Sequence, residues 1–150
     1  MSAAENVKAE LKDELASIQR ALDVLIHSYA NCNEIGIKDS YSLAELDQWE
    51  AFTSRFARTS DLVIQKIINS IMIFEKGQTG SMKDKAAFCA KNGLVNTEED
   101  LINLRLTRNF IAHEYARQDT NEVFQEVLRY YPLLTDFTRA TVRYCNTHIL

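Results

Sequence analysis

The sequence predicts one all-α domain, a bundle of five to six helices spanning residues 1–150. Three observations carry this. Four glycines and one proline in 150 residues are too few for a turn-rich β-sandwich or barrel. Apolar residues recur at three- and four-residue steps, the spacing of one helix face. Helix start and stop signals bracket the periodic runs. Hydrophobic residues at 46% and charged residues at 25% have the balance of a soluble globular chain, and the length suffices for a sizeable core.

The elements follow in order. Val7, Leu11, Leu15, Ile18, Leu22, Leu25, Ile26 and Tyr29 share a face, so a first amphipathic helix is expected over about 5–31, with a loop from Asn31 to Ser40. Ser42 followed by Glu45 has capping-box spacing and opens the second helix. Its pattern runs through Leu43, Leu46, Trp49, Phe52 and Phe56, then through the isoleucine-rich stretch 62–74, and stops at Gly77. Gln65, Lys66, Asn69 and Ser70 return at helical rather than alternate spacing, which excludes a strand there. More than thirty residues is long, so a break or bend is expected near Thr59–Ser60. A short helix is predicted from Ser81 to Asn92, closed by Gly93. Thr97, ahead of Glu98, Glu99 and Asp100, opens the fourth main helix, whose positive end meets the carboxylates. Asp119 or Thr120 caps the last helical region, which Pro132 is expected to kink or split.

Composition excludes several classes. No apolar run approaches the roughly 20 residues of a membrane span. The first sixteen residues are acidic and amphipathic, unlike a signal peptide. Cys32, Cys89 and Cys145 are odd in number and far apart, which points to reduced thiols in a cytoplasmic protein rather than a disulfide framework or zinc site. No Glu-x-x-His, Gly-rich phosphate loop or second His at position 117 is present, so neither a metal nor a cofactor is expected. The net charge is −4, but residues 1–50 hold 4 basic and 10 acidic side chains while residues 51–100 and 101–150 are each +1. A broad nucleic-acid coat is excluded; a local basic pocket drawn from Arg105, Arg108 and Arg117 with Lys83 and Lys85 stays open.

Chemistry concentrates in Arg108-Asn109-Phe110-Ile111-Ala112-His113-Glu114-Tyr115. Arginine grips phosphate through paired hydrogen bonds, and histidine moves protons near pH 7. Together they suffice, without a metal, to cleave RNA through its own 2′-hydroxyl. At about 100° per residue, Arg108 and Tyr115 share one stripe, Asn109 and His113 a neighbouring one, and Arg108 stands about 140° from His113. One helix is then a poor clamp for one phosphate, whereas two copies across a two-fold axis form a cleft where both groups converge. The plain alternatives are a packed or surface His113, and an Arg108 that is solvated or paired with Glu114 or Asp100.

The segment Leu104–Ala116 resembles the Arg-x-x-x-x-His-x-Tyr signature of HEPN-domain toxins of the HepT type, small all-α ribonucleases encoded beside a minimal nucleotidyltransferase (MNT) antitoxin. The stretch Arg55–Ile67 and the segments between the two motifs resemble one subgroup, so the likeness covers about residues 52–130. It implies a HEPN-like up-and-down bundle with the motif on the fourth main helix. Arg108 and His113 would be catalytic in a homodimer that cuts RNA to a 2′,3′-cyclic phosphate. Asn109 would support them, with Arg58 and Asp61 as a supporting pair on the preceding helix. Tyr115 would receive AMP from the MNT partner. The alternative is a non-catalytic helical partner, or substrate-binding module, of a nucleotidyltransferase.

Overall fold

Serine caps start three of the helices. The hydroxyls of Ser2, Ser42 and Ser81 accept from the backbone N–H of Glu5, Glu45 and Asp84, whose carboxylates accept in return from the serine N–H. Each box satisfies two amide donors that the first turn would leave open. The computed structural model describes residues 2–117 and 120–150; the side chains of residues 114–119 lie outside that description. Its helices are α1 (Ala3–Ile35), α2 (Leu43–Asp61), α3 (Ile68–Lys76), α4 (Met82–Lys91), α5 (Glu98–Arg117) and α6 (Thr120–His148). A π-helical segment, Leu62–Ile67, joins α2 to α3, so these three form one long unit.

Three departures from the sequence expectations have identifiable causes. Helix α1 continues past Asn31 to Ile35, because Cys32 is buried with its thiol donating to the Gln48 carbonyl at 3.3 Å, and Asn31 donates to the Gln48 side chain at 3.1 Å. Gly36, at φ 75°, then ends it. The interruption expected at Thr59–Ser60 takes the form of the π segment just beyond. Thr59 donates its hydroxyl to the Arg55 carbonyl at 2.8 Å, a side-chain bond that competes with the helix ladder. Of the kink or split expected at Pro132, the split does not occur: α6 is continuous through it, with the ring exposed while Tyr131, Leu134 and Thr135 stay buried on the inner face.

The core unites α1, the α2–α3 unit and α6 by aromatic contact. Trp49 stacks on Phe124 with centroids 4.3 Å apart, Tyr29 stacks on Tyr131 at 3.9 Å, and Phe52 meets Tyr131 edge-on at 5.9 Å. Ile64, Ile67, Ile68 and Ile71 fill the space beneath, so the isoleucine-rich stretch is core. Helix α5 packs against α2, α4 and α6 through Leu101, Leu104 and Ile111. The result is an all-helical bundle. Among the described residues, no helix is long and apolar enough to cross a membrane.

Candidate functional site

Helix α5 presents different chemistry on its two flanks because its buried residues turn it in place. Leu104, Thr107 and Ile111 face inward, and the Thr107 hydroxyl donates to the Asn103 carbonyl at 2.9 Å. That leaves Arg105 and Arg108 toward α2 and the π segment, and Asn109 and His113 toward α6.

On the first flank, Arg108 forms a bidentate pair with Asp61, the last residue of α2. Its Nε donates to Oδ1 at 2.8 Å and its Nη2 to Oδ2 at 3.0 Å. Arg105 reaches the same carboxylate through Nη1 at 3.5 Å. The hydrogen bonds that Arg108 donates to Asp61 outweigh partial burial and hold its guanidinium still more firmly protonated than usual. Both groups remain partly exposed, at 29% and 38% for the Arg108 and Asp61 side chains, so the pair borders water. Beside it lies an open hollow of about 750 Å³ that Arg58, Lys66, Arg105 and Arg108 line with Asp61 and Gln65.

On the second flank, His113 is exposed and lines a groove of about 820 Å³ with Asn109 and Phe110 of α5 and Glu122, Glu126 and Tyr130 of α6. Arg108 and His113 therefore occupy separate hollows of one chain, in keeping with the roughly 140° between them on a straight helix. A single chain brings Asn109 to His113 and Asp61 to Arg108, but not Arg108 to His113.

The expected residue pairings need correction. Asp61 pairs across helices with Arg108 instead of with Arg58, which is exposed at the rim of the same hollow. Arg108 in turn takes Asp61 rather than Asp100. A carboxylate 47 residues away in sequence wins because it is held on a packed neighbouring helix. Of the basic residues considered for a local pocket, Arg105 and Arg108 line the hollow. Lys85 is buried and donates to Gln65 Oε1 at 3.2 Å, and Lys83 is exposed on α4. Tyr115 lies in the last turn of α5 with its side chain outside the described residues, as are the side chains of Glu114 and Arg117.

Lys66 and Gln65 were legible only as the polar side of a helix. The steps Ser54, Arg58, Asp61 and Gln65, at three and four residues, were the available sign that these groups share one face. Among the described residues, no three or more His, Cys, Asp and Glu side chains gather as metal ligands. The three cysteines are buried free thiols. The arrangement offers anion binding on one flank of α5 and an exposed imidazole on the other. In comparisons with protein-family models, with curated proteins and with solved structures, nothing matches this chain.

Proposed function

We propose that this chain is a metal-independent ribonuclease toxin of the HEPN type, acting in the cytoplasm as a homodimer and neutralised when a cognate nucleotidyltransferase adds AMP to Tyr115. The observation that carries the reading is the Arg108–Asp61 pair. It immobilises a guanidinium at the edge of a cation-lined hollow, five residues from an exposed histidine. Two of the five N–H donors of Arg108 are committed to Asp61, which leaves three for the non-bridging oxygens of a phosphodiester. His113 accepts the 2′-hydroxyl proton as that oxygen attacks phosphorus, or returns a proton to the departing 5′-oxygen. The products are a 2′,3′-cyclic phosphate and a 5′-hydroxyl. With the two groups in separate hollows, one chain is a poor clamp for one phosphate, so the reading calls for a twin whose α5 brings its His113 to the first chain's Arg108. AMP on Tyr115 adds bulk and negative charge on the stripe that carries Arg108, opposing the entry of RNA.

The test is cleavage of RNA by the purified protein in EDTA, with its mass in solution measured alongside. Dimeric, EDTA-resistant activity that Arg108→Ala and His113→Ala each abolish supports the reading. Full activity in either variant, or activity from a strict monomer, removes it. The separation of Arg108 and His113 on one chain favours a second reading, a non-catalytic partner that docks a nucleotidyltransferase and presents Tyr115 or substrate to it. That reading predicts a tight complex and no cleavage.

A further inference from the structure

A chain of net charge −4 collects a local surplus of cations in the hollow between α2, the π segment and α5. Arg58, Lys66, Arg105 and Arg108 line it against one carboxylate, Asp61, which Arg108 and Arg105 already share. A fifth cation stands behind the wall. Lys85 is only 6% exposed, and its ammonium donates to Gln65, a residue of the lining. Among the described residues, no carboxylate pairs with Lys85. Burial and then the charge of Arg105 push it below the usual lysine range. A buried ammonium beside other cations costs stability, and an anion bound in the hollow would offset that cost.

We propose that this hollow is a phosphate-binding subsite, in which Arg58, Lys66 and Arg105 hold a phosphate group beside Arg108. The donors arrive from three directions. Arg58 comes from α2, Lys66 from the π segment and Arg105 from α5, as a tetrahedral anion with several free oxygens requires. The π segment has a part in this geometry, since its changed helical register carries Gln65 and Lys66 at the point where α2 ends in Asp61. The phosphate belongs to an RNA strand, one or more nucleotides from the bond to be cut; this assignment rests on the ribonuclease reading, whereas the cation surplus does not. The subsite would give the strand a second hold, which fixes its direction past Arg108.

The experiment measures binding of a short fluorescein-labelled 2′-O-methyl RNA, which lacks the attacking hydroxyl, by anisotropy over a salt series. Inorganic pyrophosphate is titrated as competitor. Arg58→Gln and Lys66→Gln alter exposed residues, so loss of fold does not confuse the result. Each should weaken binding by about three- to tenfold and flatten the log–log salt slope by about 0.7 per lost contact. Arg143→Gln, an exposed cation on α6 outside the hollow, should leave both unchanged. Lys85→Met should weaken binding while its melting temperature holds or rises, a divergence that a merely structural lysine does not produce. RNA binding that pyrophosphate displaces only weakly identifies a strand. Stoichiometric pyrophosphate binding lost in the same variants identifies a free phosphate compound as the occupant of the same site. Binding of both probes unchanged in Arg58→Gln, Lys66→Gln and Lys85→Met overturns the subsite, as does displacement by an acidic peptide but not by either phosphate. If RNA is cleaved in EDTA but these variants bind normally, the subsite fails and the ribonuclease reading stands. If nothing is cleaved yet phosphate binding depends on them, the reverse holds.

Discussion

Replacing Asp61 by Asn keeps the size and one acceptor of the side chain but leaves the cations around it without a counter-charge. Two opposite unit charges about 4 Å apart attract by about 1 kcal/mol in water and about 4 kcal/mol at the effective dielectric of a protein surface. The exposure of Asp61 and Arg108 places this pair near the lower figure, so its coupling should be about 1 kcal/mol. Asp61→Asn loses that and also uncovers repulsion among Arg58, Lys66, Arg105, Arg108 and the buried Lys85. Its total cost should reach about 2 kcal/mol at low salt, or about 4–8 °C in melting temperature for a domain of this size. Arg108→Gln removes one member of the crowd and leaves Asp61 to Arg105, so it should cost less than about 1 kcal/mol. Urea unfolding of the wild type, both single variants and the double variant isolates the coupling. Repetition in 1 M NaCl, where the screening length falls to about 3 Å, should recover much of the Asp61→Asn deficit. An Arg108→Gln variant as unstable as Asp61→Asn, or a deficit indifferent to salt, would refute the claim that Asp61 serves as the common counter-ion of the hollow.

Other outcomes follow from the packing. Glu14 accepts from the Ser70 hydroxyl at 2.8 Å, and burial, the largest influence on it, raises its carboxyl above the ordinary value of 4.5. A raised folded-state value means that stability is fully present below the ordinary range and declines as pH rises through the folded one. Glu14→Gln should therefore be the more stable protein at pH 7, with its advantage vanishing toward pH 4.5 in a melting series; a constant difference would contradict this. Burial pushes the Cys32, Cys89 and Cys145 thiols up to about 12. At pH 8 a thiolate fraction of about one in ten thousand should make labelling by iodoacetamide wait for unfolding, and rapid labelling of the native protein would show the thiols to be accessible. Phe124 is fully buried and stacked on Trp49, so Phe124→Ala should cost about 3–5 kcal/mol in urea unfolding. A loss under about 1 kcal/mol would mean that α6 does not pack as described.

The helices were legible wherever a local rule decided them. Ser42 with Glu45 announced a cap, Gly77 at φ 78° a stop, and the three- and four-step apolar runs the buried faces of α1 and the α2–α3 unit. Local rules failed where a distant contact overruled them. Cys32 and Asn31 prolong α1 because Gln48 meets them, and α6 carries Pro132 because residues on either side are buried together. The same division runs through the site. Sequence singled out Arg108, Asn109 and His113 as individuals and Asp61 only as a companion of Arg58, and helical geometry alone separated Arg108 from His113. The partner of Arg108 was not readable, since Glu114 and Asp100, six and eight residues away, were the carboxylates a linear reading could offer.

By itself, the order of residues determined that this chain is helical, where α2, α4 and α5 start, and that a guanidinium and an imidazole diverge from one helix. Each of those follows from interactions within a few turns of backbone. Which acid meets Arg108, and which cations crowd around that acid, was decided only when α2, the π segment and α5 came together. Charges act through space, and distance along the chain says little about distance across a packed interface.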